Sequence, residues 1–403
     1  MTTSAEIEGD KNASLSLATC CSVHAWQDGL TTTVNVLLPI IAQGFGLSYA
    51  QVGIVKAANV AAMALFEIPS GLLSERFGAR SLLVFGLSVV GIGYIWLSFA
   101  AGYHAILFSL GLAGVGAAFQ HTLSSAIITA AFPGAEIRPA LGTYNAAGDI
   151  GKLALAGVFT LLVGLGVGWQ TISLGYGVVS VGLAVLVLVL LSSRGIGEPP
   201  KPVTSATIPE PHSSGWGIRN KTAFGGLCAI NFLDSMVQAG FKTFVAFLMI
   251  EKGVDISLAA FAVVLTLAGG VVGKFCCGFL AKRMGIIRSL ILVEVLTAIG
   301  IAAVVIAPPM MAFVLLPILG AFLQGSSSIT YGTISDLFHP KRQARGFSLI
   351  YTTSNIASVT AAVSLGLISD AFGLNAMMLI MAGLTILTLP LCVLLRSGLA
   401  RSP

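Results

Sequence analysis

Gly71-Leu-Leu-Ser-Glu-Arg-Phe-Gly-Ala-Arg80 is a short charged turn caught between two long apolar runs. A second version, Gly278-Phe-Leu-Ala-Lys-Arg-Met-Gly-Ile-Ile-Arg288, stands half a chain later. Each copy has a Gly closing an apolar run, a charged pair four residues on, a second Gly and a further Arg. A motif repeated at that separation predicts a duplicated architecture.

Composition sets the environment. The 403 residues are 56% hydrophobic and only 9% charged. Soluble domains carry about 25% charged residues, so a soluble enzyme is excluded. Apolar runs of about 20 residues, each long enough to cross a bilayer, recur along the chain. The net charge of +5 is small and no Lys/Arg-rich tract is present, so no nucleic-acid partner is expected. The six cysteines lie in or beside apolar runs at no metal-ligand spacing. They read as small buried hydrophobes, with no metal and no cofactor expected. Met1 to Asn12 is polar and unlike a cleavable leader, so the first apolar run is expected to remain as a helix.

The pattern predicts an all-α membrane protein of twelve spans. The first six run near 16–42, 50–73, 80–101, 103–131, 139–166 and 168–193. The second six run near 222–250, 257–281, 287–306, 309–333, 344–370 and 373–396. Residues 1–15 and 397–403 are expected as tails. Residues 194–221 carry Pro199, Pro200, Pro202, Pro209 and Pro211 among Ser, Thr and Gly. They bury too little apolar surface to fold and read as a linker between two six-helix bundles, 16–193 and 222–396. Sixteen Lys and Arg fall on the side that holds both termini and one, Lys252, on the other. That bias predicts cytoplasmic termini. The halves match at further points: Asp28 with Asp234, Gln120-His121 with Gln324-Gly325, and Arg138 and Gly142 with Arg342 and Gly346.

Ionisable groups inside a membrane cost roughly 2.5–3.5 kcal/mol on insertion scales, so they face a wet cavity or a partner. The first span carries His24, Asp28, Thr31, Thr32 and Asn35 on one helical stripe. A His and an Asp one turn apart form either a proton relay or a hydrogen-bonded structural pair. The seventh span repeats the layout with Asp234, Gln238 and Lys242. Lys242 neutralises Asp234 through Gln238, binds an anion in the cavity, or closes an outer-gate salt bridge. The fifth span carries Tyr144, Asn145, Gly148, Asp149 and Lys152; Asp149 and Lys152, three apart, pair on the helix surface. Uncharged hydrogen-bonding groups come from Gln120, His121, Ser124 and Ser125 in the fourth span and from Gln324, Ser327, Ser328 and Tyr331 in the tenth. The eleventh adds Tyr351, Asn355 and Ser358. The serines serve helix packing equally well. Lys56, Glu67 and Lys274 lie in the second and eighth spans, with Glu67 and Lys274 each four residues before a motif Gly. That match predicts an acid–base gate between the halves, against pairing within each half. No His-Glu-x-x-His, Gly-x-Ser-x-Gly or Cys–His cluster points to an enzyme. A nutrient sensor on a transporter fold would be expected to add a long cytoplasmic domain.

The repeated loop resembles the signature of the major facilitator superfamily, which follows that family's second and eighth membrane helices. The resemblance implies two six-helix bundles related by a pseudo-twofold axis along the membrane normal. It implies alternating access and a midplane site lined by spans 1, 4, 5, 7, 10 and 11. The ninth span is usually peripheral in that fold, which sets Glu294 aside. Within the superfamily, the first half resembles the fosmidomycin-resistance type of permease. The matching stretches are Ser22-Val-His24-Ala-Trp-Gln-Asp28, Gly114-Val-Gly116-Ala-Ala-Phe-Gln-His121, and Asn145-Ala-Ala-Gly148-Asp149-Ile-Gly151. Thr122 stands where that family has Pro, and the Asp149–Lys152 charges depart from its neutral helix. The resemblance implies proton-coupled transport of a small polar or anionic compound, as nutrient uptake or as efflux of a toxic compound. The transporter is expected to work as a monomer in the lipid bilayer, with Asp28, Asp149 and Asp234 carrying protons and His24 and His121 relaying them. Gly71, Glu75, Arg76 and Arg80, with Gly278 and Arg283 in the second copy, are expected to latch the outward-facing state and to release when the halves rock. Lys282 stands where the first copy has Glu75, so the two latches differ.

Overall fold

The computed structural model describes residues 4–132, 136–199, 216–338 and 343–399. The expected linker therefore falls largely outside the described residues, as does Arg342. Fifteen helices occur among the described residues, and eleven helical spans are long and apolar enough to cross a membrane. The remaining long helix, α1 (Ser4–Phe45), has the length but not the apolarity. Its interior holds His24, Gln27, Asp28 and Asn35. It starts at Ser4, well before the expected residue 16.

The chain divides into two compact units, residues 1–37 with 58–207 and residues 38–57 with 208–403. The first holds most of α1, the C-terminal part of α2 (Tyr49–Phe77), α3 (Ala79–Ser98), α4 (Tyr103–Ala117), α5 (His121–Ala131), α6 (Ile137–Gly164) and α7 (Trp169–Ser192). Its core gathers Val23, Leu83, Leu87, Leu123, Ile127, Tyr144 and Leu191, with α3 against α4 and α7. The second holds α8 (Lys221–Glu251), α9 (Ile256–Ala259), α10 (Phe261–Met284), α11 (Ile286–Ile306), α12 (Pro309–Leu337), α13 (Gln343–Phe372), α14 (Leu374–Ile386) and α15 (Thr388–Leu399). Here Leu227, Ile230, Val293, Ile329, Ile350 and Leu395 form the core, with α10 against α12 and α8 against α13 and α15. The α1–α2 turn packs in this unit: Asp370 Oδ1 and Oδ2 accept from the backbone N–H groups of Tyr49 (2.9 Å) and Ala50 (3.0 Å).

Two expected spans are broken. The fourth divides into α4 and α5 because the N–H groups of Phe119 and Gln120 turn to carbonyls three residues back, at 3.2 and 3.3 Å. Such a tightened stretch inside a helix often marks a functional hinge. It sets His121 at the first position of α5. The twelfth divides at Leu387 into α14 and α15. Pro390 has no N–H to give the Ile386 carbonyl, which weakens the helix there. The second Gly of each motif copy, Gly78 and Gly285, takes φ 79° and 83° before α3 and α11. Only Gly adopts that conformation without strain, so each copy is the sharp turn between two membrane-length helices.

Candidate functional site

The polar groups of the first unit converge on Asp28. The i,i+4 spacing on α1 sets His24 Nε2 3.2 Å from Asp28 Oδ2. α5 brings His121 Nε2 to 3.4 Å from Asp28 Oδ1. α6 brings Lys152 Nζ to 3.0 Å from Asp28 Oδ2 and 3.2 Å from Asp149 Oδ1. His24 stacks on Tyr144 with centroids 4.0 Å apart and meets His121 edge-on at 5.1 Å. Gln120 Nε2 donates to the Tyr144 hydroxyl at 2.7 Å.

Two hydrogen bonds fix what this cluster requires. His24 Nδ1 lies 2.8 Å from the Tyr144 carbonyl oxygen, which only accepts, so Nδ1 carries a hydrogen. In the neutral ring Nε2 would then turn a lone pair toward Asp28 Oδ2. That contact attracts only with a proton, or another cation, between the two atoms. The charge count agrees. Two carboxylates (Asp28, Asp149) face one ammonium (Lys152), and one further proton makes the cluster neutral. His24, Asp28 and His121 also offer three ligand atoms within 4.8 Å of one another, a set able to hold a metal ion. Lys152 already supplies positive charge at Asp28 Oδ2, so the arrangement suits a proton better than a divalent ion.

Helix packing builds the cluster. A Cβ on Gly148 would stand 2.5 Å from the His24 ring, and one on Gly151 would strike the Ala25 backbone. Small residues at these two positions let α6 press against α1 and carry Lys152 across to Asp28. The stripe on α1 continues to Asn35, which is buried with its Oδ1 unpartnered. Gln27 was missed by the sequence reading because it lies off that stripe. It is buried with both amide atoms unpartnered, and its one signal is a further polar residue inside a membrane-length helix. Asn145 lies on an exposed face of α6.

In the second unit, buried Asp234 accepts from Gln238 Nε2 and Ser326 Oγ, both at 2.9 Å. Lys242, a turn beyond Gln238, is the positive neighbour of Asp234. It also faces Lys56, a buried residue of α2 that the sequence reading left without a role. Its signal was a Lys inside an apolar run. Gln324 joins α12 to α10 through the Thr266 carbonyl at 3.1 Å. Tyr331 and Tyr351 place their rings 5.4 Å apart, with Asn355 a turn further along α13.

The loop motif makes its own contacts. The Arg80 backbone N–H donates to the Gly197 carbonyl (3.0 Å). Arg80 Nη1 reaches the Leu191 and Ile196 carbonyls (3.5 Å each) and Glu198 Oε1 (3.6 Å). Arg76 lies over the Phe77 ring, and a Cβ on Gly71 would meet Thr122 of α5 at 3.3 Å. Glu75 is exposed at the edge of a cavity of about 690 Å³ that Ser16, Ser74, Ile127 and Glu198 also line. This cavity is not the Asp28 site. Glu67 and Lys274 are partly buried on α2 and α10, while Gly278 and Arg283 are exposed.

Membrane-length helices that bury ionised side chains within two bundles are the build of a membrane transporter. The chain belongs to the Major Facilitator Superfamily, whose family model matches residues 22–223 and 227–402. An uncharacterized MFS-type transporter of Methanocaldococcus jannaschii is 23% identical over 366 residues, covering 87% of this chain and 92% of that one. The uncharacterized MFS-type transporter YfnC of Bacillus subtilis is 25% identical, covering 90% and 88%. The multidrug resistance protein Stp of Mycobacterium tuberculosis is 31% identical over 140 residues, covering 34% and 26%. A solved bacterial homolog of the human lysosomal transporter Spinster, inward-facing and unoccupied, superposes with a TM-score of 0.83 at 17% identity, covering 97% and 99%. That likeness carries the fold.

Proposed function

We propose that this protein is a proton-coupled secondary transporter that moves a small polar or anionic organic compound by alternating access. The observation that carries the reading is the Asp28 cluster. Two histidines and a lysine surround Asp28, the lysine also pairs with Asp149, and the charges of the two carboxylates and the lysine balance with a single added proton. A group that needs one proton in one arrangement, and can lose it when Lys152 or substrate moves, couples proton flow to conformational change. Asp28 and Asp149 hold the charge of the first unit, His24 and His121 relay, and Asp234 with Gln238 and Lys242 is the counterpart in the second. Lys56 and Lys242 favour a negative group on the substrate. The Lys/Arg asymmetry supports cytoplasmic termini, and bacterial relatives such as YfnC support a bacterial-type inner membrane. A monomer is the proposed working unit, because the proposed site needs no second chain.

Efflux by proton antiport is the second reading, favoured by relatives named for multidrug resistance. A deletion strain screened against organic acids and antimicrobials separates the two: lost growth on a sole nutrient marks uptake, lost resistance marks efflux. In vesicles with an imposed pH gradient, a labelled compound from that screen should accumulate with wild type and not with Asp28→Asn. Equal accumulation would overturn the assignment.

A further inference from the structure

Glu294 lies on α11, in the span that the sequence reading set aside as peripheral. It is 1% exposed, and neither carboxyl oxygen has a hydrogen-bond partner. The groups it faces are few. Thr388 opens α15 just past the break at Leu387, but its hydroxyl donates to the Thr385 carbonyl at 2.6 Å. Asp234 from α8 is within electrostatic reach, with Lys242 beyond it, and Cys392 comes from α15. α10, α12 and α14 add no titratable group to these among the described residues. Asp234 itself holds two donors, Gln238 and Ser326. The two acids are therefore unequal. One is solvated by donors and has a lysine for a neighbour, whereas the other has neither donor nor cation. An ionised carboxylate without donors is costly inside a bundle in lipid, and the neutral acid is the form that such a site tolerates.

We infer that Glu294 is a second proton-holding site, inside the second unit, which holds its proton as the neutral acid, with Asp234 and Lys242 as the charged neighbours that act on it. As a coupling element the site rests on the proton-coupled reading above; as a site it stands separately.

Infrared difference spectroscopy on purified full-length protein tests it without a substrate. Wild type should show the C=O stretch of a protonated carboxyl at neutral pH. The band should vanish in Glu294→Gln, persist in Asp28→Asn, and titrate at a shifted pH in Asp234→Asn. Gln is isosteric with the neutral acid, so Glu294→Gln should fold with unchanged Tm. A band that survives in Glu294→Gln overturns the site, and so does failure of that variant to fold. A band that behaves as stated in a protein without gradient-driven flux leaves the site standing and removes the proton-coupled reading instead.

Discussion

Lys152 places its ammonium 3.0 Å from Asp28 Oδ2, so a cation from α6 neutralises a carboxylate on α1. Removing one partner strands the other. Breaking a fully buried pair costs about 3–5 kcal/mol. The Lys152 side chain is 33% exposed, so solvent screening reduces the expected loss for Lys152→Met to about 1–3 kcal/mol. Thermal unfolding in detergent should show the double variant Lys152→Met/Asp28→Asn less destabilised than the sum of the singles. Simple additivity would mean that the two groups do not interact.

Gly148 and Gly142 lie on the same helix with opposite surroundings. A Cβ at 148 meets the His24 ring, whereas one at 142 meets nothing within 4 Å. Gly148→Ala should lose about 1–3 kcal/mol through overpacking and lower transport. Gly142→Ala should leave both close to wild type. Equal behaviour would show that His24 is not held against α6.

At the loop motif, backbone contacts should outweigh the ion pair. The Glu198 side chain is 54% exposed, and surface pairs contribute about 0–1 kcal/mol. Glu198→Gln should barely change Tm. Arg80→Ala removes the donor to the Leu191 and Ile196 carbonyls as well and should lower Tm clearly. A larger loss for Glu198→Gln would reverse that ranking.

Asp370 caps α2 from another helix, with one oxygen on each of two N–H groups. Loss of an N-cap costs about 0.5–2 kcal/mol. Asp370→Ala should lose stability in that range, and Asp370→Asn less, because one acceptor remains. The same measurement on Tyr49→Phe reports the bond from Tyr49 Oη to Glu251 Oε1 at 2.7 Å.

The sequence made legible whatever depends on local spacing. The His24–Asp28 and Asp149–Lys152 pairs follow from helical steps of four and three. The duplicated loop is recognisable because Gly78 and Gly285 are each forced by a positive φ. Contacts set by helix register were not legible. That Lys152 reaches Asp28 depends on how closely Gly148 and Gly151 let α6 approach α1, which no periodicity encodes. The break before His121 arises from bonds to carbonyls three residues back, without a proline to announce it. Gln27 and Glu294 escaped because burial without a partner is a tertiary fact.

Proton movement itself tests the account most directly. Vesicles containing the purified protein and an internal pH indicator would receive a compound that passes the screen. Wild type should change the internal pH when the compound is added. Asp28→Asn should give no pH change, while still exchanging labelled for unlabelled compound in the absence of a gradient. A full pH response from Asp28→Asn would contradict the claim that the Asp28 cluster carries the coupling proton.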